Sequence, residues 1–291
     1  MSNGASLPRG LAHRSIDARK PELMTASPFA NQPAMIGMIH VGALPGTPHA
    51  EKSLKELVSD AVREAVIYRD AQVDGVILEN MHDRPYLKGH DVGPEVVATM
   101  TRIAAEVRSI LTCPCGIQVL AGANEAAIAV ALAANFDFVR VEGFVYGHIA
   151  DEGWIDACAG DLLRYRRRIG SEAEAIAIWA DIKKKHSAHA VTSDVSLADT
   201  AQAATYNLCD ALIISGSHTA AATDPNDLRA VRTITPETPV YIGSGITLEN
   251  VSDYRDASGF IVGSAVKENG HWENPLCQDR VEAIVKAVRA L

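Results

Sequence analysis

The chain has 291 residues, 36 acidic and 27 basic, for a net charge of −9, with 47% hydrophobic and 22% charged residues. A chain of this length buries roughly three quarters of its unfolded surface without a disulfide or metal staple, and this composition excludes disorder, collagen and coiled coil. The acidic balance removes any general attraction to nucleic acid or anionic lipid. Five cysteines show no disulfide-framework spacing, and no apolar run approaches the ~20 residues of a membrane span. The opening MSNGASLPRGLAHRSIDARK lacks the apolar core of a signal peptide. The expectation is a cytoplasmic protein with no integral membrane association and no nucleic-acid partner.

Residues 1–33 are rich in Pro, Ser, Asn and Ala, have no sustained period, and read as an N-terminal arm. From Met35 short apolar runs alternate with helical stretches. MIGMIHVG (35–42) reads as a strand, and 53–71 as a helix whose Leu54, Leu57, Val58, Ala61, Val62, Ala65 and Val66 share a face. GVILEN (75–80) leads through a long loop to the helix 95–111. GIQVLA (116–121) precedes the helix 124–135, and FVRVEGF (138–144) a helix around 157–169 that Gly170 ends. EAIAIWADI (174–182) is followed by the helix 196–207, and ALIISG (211–216) by 225–234. VYIGSGI (240–246) runs into TLENVSDYRD, and GFIVGSAV (259–266) into a last helix, 276–290. Near-continuously apolar strands alternating with helices indicate a parallel sheet, and eight such units indicate a single (β/α)8 TIM barrel over 34–291 with a short N-terminal arm. A doubly wound sheet is the weaker alternative, because no G-x-G-x-x-G follows the first strand.

Barrel active sites lie at the C-terminal strand ends. The polar residues there are His40; Glu79 and Asn80; Gln118 and Asn124; Arg140 and Glu142; Asp181, Lys183, Lys185 and His186; Ser215, Ser217 and His218; Ser244; and Ser264 and Lys267. The sharpest signal is GSGI (243–246) with GSAVKENG (263–270). Glycine lets backbone approach a ligand, successive N–H groups make an anion nest, and the last two barrel loops are the usual phosphate site. In ADIKKKH (180–186), Asp181 is a candidate general base or metal ligand, Lys183 or Lys185 a phosphate partner or Schiff-base amine, and His186 a proton shuttle. For Lys184 and Lys185 the preferred reading is nonetheless a solvated charge run. Glu79 is a candidate acid–base group paired with Lys183 or Arg140, against the plainer reading of an internal salt bridge. The loop 82–90 suits a lid or substrate clamp, without metal-ligand spacing. RYRRR (164–168) reads as a solvated helix face, and Cys113 and Cys115 as ordinary thiols.

Taken together, GMIHVGALPGTP, GVILENMHDRPY, LLRYRRRIG, ADIKKKH, CDALIISGSHTA, PVYIGSGITLENV and GFIVGSAVKENG resemble the BtpA/SgcQ family over roughly 34–290. The resemblance implies a branch of the ribulose-phosphate-binding barrels, with phosphate gripped by Gly243, Ser244, Gly245, Gly263 and Ser264. It also implies Glu79, Asn80, Asp181, Lys183, Lys185, His186 and Ser215 in the mouth. One member of the family is linked to photosystem I biogenesis, and another to sugar metabolism with a nucleotide-hydrolase label. The third and fourth strand ends, QVLAGANE and RVEG, depart from the family pattern, Glu142 standing where Asn or a similar residue is usual.

The resulting expectation is a phosphate-binding barrel enzyme acting on a phosphorylated sugar or phosphoribosyl compound, as an isomerase or epimerase or as an aldolase-type lyase. Glu79, Asp181, Lys183 and His186 are its expected catalytic residues. His40, Asn80, Arg140, Ser215, Gly243, Ser244, Gly245, Gly263, Ser264 and Lys267 are expected to bind substrate and phosphate. No cofactor is assigned from the sequence, a divalent metal such as Mg²⁺ being the candidate, and the expected partners are a small phosphorylated substrate and further copies of the chain in a homo-oligomer. The alternatives are a non-catalytic assembly factor and a nucleotide or N-glycoside hydrolase.

Overall fold

The computed structural model describes residues 28–29, 33–216 and 221–291; most of the arm expected over 1–33, and Ser217 and His218, lie outside the described residues. Eight parallel strands close a barrel: β1 (Ala34–His40), β2 (Gly75–Glu79), β3 (Cys115–Gln118), β4 (Phe138–Val141), β7 (Ala177–Asp181), β9 (Ala211–Ile214), β10 (Val240–Ile242) and β11 (Gly259–Val262), with β1 pairing both β2 and β11. The crossovers carry α1 (Leu54–Asp70), α2 (Pro94–Ile110), α3 (Asn124–Ala134), α4 (Ala159–Arg168), α5 (Leu197–Tyr206), α6 (Pro225–Ile234) and α7 (Gln278–Val288). The expected barrel is therefore the observed fold. Helix starts follow local chemistry: Ser53 with Glu56 and Ser196 with Asp199 each form a capping box that satisfies otherwise orphaned backbone donors.

Two differences from the expected elements have local causes. In the seventh unit TLENVSDYRD makes only a 3₁₀ turn, Val251–Tyr254. The Asn250 side chain accepts from Thr247 N at 2.8 Å and donates to the Gly245 carbonyl at 2.8 Å, diverting the backbone from a full helix. A second sheet, antiparallel and outside the barrel, joins β5 (His148–Ala150), β6 (Gly153–Ile155) and β8 (Ser187–Ala188). It links the loops that follow β4 and β7 over the C-terminal face.

The strands are buried on both sides, so they separate two apolar layers. The larger lies between sheet and helices, and the smaller fills the barrel. Inside, Trp179 stacks between Phe138 (3.9 Å between centroids) and Tyr241 (4.1 Å), and Phe29 meets all three edge-on at 5.9–6.4 Å. Gly116 has no side chain because that ring stack needs the space: a Cβ there would lie 2.2 Å from Phe138. The aromatic fill occupies the lower barrel and leaves the polar groups for the upper rim. Among the described residues no helix is long and apolar enough to cross a membrane.

Candidate active site at the C-terminal mouth

The mouth is built from charges that the strands hold at their last residues. Arg140, on β4, donates Nε to Asp181 Oδ2 at 2.7 Å and Nη2 to Oδ1 at 3.2 Å, a two-pronged pair between adjacent strands. Both side chains are nearly inaccessible, at 6% and 1%. Burial alone would destabilise the guanidinium, but Asp181 overrides it and raises the Arg140 pKa above its ordinary value. Beside them Lys184 Nζ donates to Glu142 Oε1 at 3.1 Å, also buried, and that carboxylate keeps the Lys184 pKa above its usual value against the cost of burial.

Glu79 and Lys185 remain beside these pairs. Burial raises the Glu79 carboxyl above the ordinary range, with Arg140 and Lys185 opposing. Burial and then the Arg140 charge lower the Lys185 ammonium. His40, at the end of β1, brings Nε2 to 3.7 Å from Glu79 Oε2, while its Nδ1 lies 3.3 Å from the Trp272 carbonyl. A carbonyl only accepts, so the proton sits on Nδ1 and Nε2 offers a lone pair toward Glu79. Burial, followed by the Lys267 charge, pushes the His40 pKa down to about 3, so the ring is neutral at physiological pH.

A cavity of about 510 Å³ opens over these groups. His40, Glu79, Arg140 and Lys185 form its inner wall, and the turns Gly243–Gly245 and Gly263–Ser264 its outer wall. Gly245 has φ +74°, and a Cβ would sit 2.2 Å from the Ala221 carbonyl oxygen, so only glycine lets the two loops close here. Arg280, at the start of α7, donates Nη1 to the Ala265 carbonyl at 3.2 Å and lines the same cavity. The sequence reading did not single out Arg280, because it enters from the first turn of α7, a helix position that no glycine or strand-end signature marks.

The remaining expected site residues lie elsewhere. Asp181 is spent on Arg140. Asn80 donates to Asp83 at 2.8 Å and accepts from Leu120 N at 2.8 Å, tying loops together beneath the mouth. Lys183 Nζ donates to the Thr192 carbonyl at 3.2 Å, away from the cavity. Its expected role as the mouth lysine is corrected to Lys185, because the chain turns left-handed at Lys183 (φ 45°) and at His186 (φ 54°) and swings those two side chains off the axis. His186 is exposed. Lys267 is 1% exposed and ion-paired to Glu64 behind β1, so it is corrected from a phosphate contact to a buried structural pair. Ser215 lies outside the cavity wall, its hydroxyl buried without a partner among the described residues. Lys184 and Lys185, read from sequence as a solvated run, are both drawn in from solvent, Lys184 against Glu142 and Lys185 onto the cavity wall. Among the described residues no three His, Cys, Asp or Glu side chains converge to hold a metal ion, since the mouth carboxylates face arginine and lysine instead.

Comparisons with known proteins agree with this architecture. A mitochondrial protein of Caenorhabditis elegans is 46% identical over 270 residues, covering 90% of this chain and 95% of its own. The photosystem I biogenesis protein BtpA of Synechocystis is 32% identical over 261 residues, 89% of each chain. Among solved structures, phosphoribosyl anthranilate isomerase of Thermus thermophilus superposes with a TM-score of 0.54 at 9% identity (88% of this chain, 98% of that one), a likeness of fold. The 7,8-dihydropteroate synthase of Vibrio fischeri does so with 0.52 at 12% (89% and 93%). The BtpA family model matches residues 31–290, and with these relatives it shows that the chain belongs to the BtpA family.

Proposed function

We propose that the mouth is an active site for proton transfer beside the carbonyl of a phosphorylated sugar or phosphoribosyl compound, in the isomerase, epimerase or aldolase-type lyase class. One observation carries the reading. Glu79 and Lys185 face the same cavity, and burial displaces the carboxyl upward and the ammonium downward, so both approach the pH at which an acid–base pair works. The glycine turns lie across that cavity, where backbone N–H groups and Arg280 can hold a phosphate and so fix the reacting end. In this reading Glu79 moves the proton. Neutral His40 receives or returns it through Nε2, and Arg140 stabilises the oxyanion while Asp181 holds it in place.

Inorganic phosphate is expected to raise the melting temperature, since a ligand that binds only the folded chain stabilises it. Aldose and ketose phosphates incubated in D₂O are expected to exchange the hydrogen next to the carbonyl, followed by proton NMR. Glu79→Gln should slow that exchange by roughly 10²- to 10⁴-fold. Exchange no faster than without protein, across a panel of sugar phosphates, would end this reading. It would favour the assembly role suggested by the name of the Synechocystis relative.

A further inference from the structure

We propose that Lys185 is a carbonyl-trapping amine, forming an imine with an open-chain aldose or ketose phosphate in the mouth; the proposal rests on the carbonyl chemistry proposed above and names its covalent step. The geometry separates Lys185 from the other lysines of this region. Lys184 is ion-paired to Glu142, Lys267 to Glu64, and Lys183 is bonded to a backbone carbonyl. Among the described residues Lys185 is the lysine that lines the main cavity, and no carboxylate comes within ion-pair distance of it. Its charge acts on Glu79 and on His40, and the charges of Arg140 and Glu79 act on it. Burial and the neighbouring guanidinium disfavour the charged form, against the pull of Glu79, Asp181 and Glu142, so the ammonium gives up its proton more readily than a solvated lysine does, and among the described residues no hydrogen-bond partner occupies the lone pair of the free amine.

The step balances without any outside oxidant or reductant. The Lys185 lone pair forms a C–N bond to the carbonyl carbon, and an N–H proton passes to the oxygen to give a carbinolamine. Glu79, whose carboxyl burial shifts toward the protonated form, delivers a proton to that hydroxyl. The C–O bond breaks, water leaves, and nitrogen closes the C=N bond as an iminium cation. Glu79 is now a carboxylate facing the activated substrate. It can take the proton from the neighbouring carbon, giving the enamine and restoring its own proton. His40 Nε2 lies 3.7 Å from Glu79 Oε2, its other ring nitrogen tied to the Trp272 carbonyl, and so keeps a fixed acceptor beside the carboxyl.

Acetylacetone tests the amine without needing the substrate or a phosphate. It condenses with a free, low-pKa amine to an enaminone that absorbs in the near ultraviolet, and peptide mapping by mass spectrometry locates it. The expected result on the full chain is one adduct, on Lys185, formed faster than on every other lysine. Lys185→Arg should lose the near-ultraviolet band while keeping the circular-dichroism spectrum of the wild type. If that variant does not fold, the wild-type peptide map decides by itself. An unmodified Lys185, or labelling confined to surface lysines, overturns the proposal. Inorganic phosphate in a parallel melting experiment tests the phosphate site separately. A Lys185 adduct without a phosphate shift keeps the amine and removes the phosphate, and the reverse result does the opposite.

Discussion

Arg140 keeps its charge inside the barrel because Asp181 meets it with both oxygens. Removing one partner leaves the other buried and uncompensated, so Asp181→Asn is expected to lower the unfolding free energy by about 3–5 kcal/mol, read from the urea midpoint at constant slope. Replacing both with apolar residues of similar volume should cost less than the sum of the single changes. Histidines set a second expectation. Burial first, then neighbouring cations, hold His40 at about 3 and His148 at about 4, below the 6.5 of an unfolded chain. Between those values the unfolded chain binds more protons, so the stability from these rings is fully present above pH 6.5 and is lost as pH falls toward 4 and then 3. Glu79 has the opposite sign: its raised folded value makes the protonated state the stable one, and that stability is lost as pH rises through the folded value. His148→Asn should therefore unfold with a shallower dependence on pH between 6.5 and 4 than the wild type, measured by urea titration at several pH values. A wild-type-like slope would contradict the burial of His148. His40 and Glu79 were legible from the sequence as polar residues ending apolar strands. Which lysine of ADIKKKH enters the mouth was not, because strand alternation stops at Asp181 and two left-handed residues then decide the direction of each side chain.

The glycine turns act as elements rather than as single residues. Gly245→Ala places a Cβ at positive φ against the Ala221 carbonyl and should cost about 1–3 kcal/mol. It should also remove the rise in melting temperature caused by inorganic phosphate. A folded variant that keeps the full rise would mean that the two loops need not close for anion binding. At this scale the sequence was informative where one period runs long enough, as in α1, α2 and α7. It overstated strand lengths at β3, β4 and β10, because Val119, Phe144 and Ile246 are buried beyond the strand ends and an apolar letter does not distinguish burial in a loop from burial in a sheet. The antiparallel sheet of β5, β6 and β8 escaped it for a related reason. Its strands are two or three residues long and pair across a wide gap in the chain, so no local periodicity marks them.

For the whole molecule, Phe29 closes the barrel floor against Phe138, Trp179 and Tyr241, with a ring edge that a Cβ on Gly75 would reach at 2.8 Å. Phe29→Ala is expected to lower stability by about 2–4 kcal/mol without altering acetylacetone labelling at the opposite end of the barrel; a large change in labelling would show that floor and mouth are coupled. The sequence alone determined the barrel, because parallel strands covered on both faces must be continuously apolar and their crossovers must carry an amphipathic period. It also marked the glycine turns of the seventh and eighth units, since close backbone approach leaves a residue-type signature. Only the tertiary structure decided which charges pair. Arg140 with Asp181, Lys184 with Glu142 and Lys267 with Glu64 are separated by 41, 42 and 203 residues. Pairing depends on a through-space distance in a dry interior, and sequence spacing does not encode it. Once those pairs are formed, Glu79 and Lys185 remain facing one cavity, and that remainder is what the proposed chemistry uses.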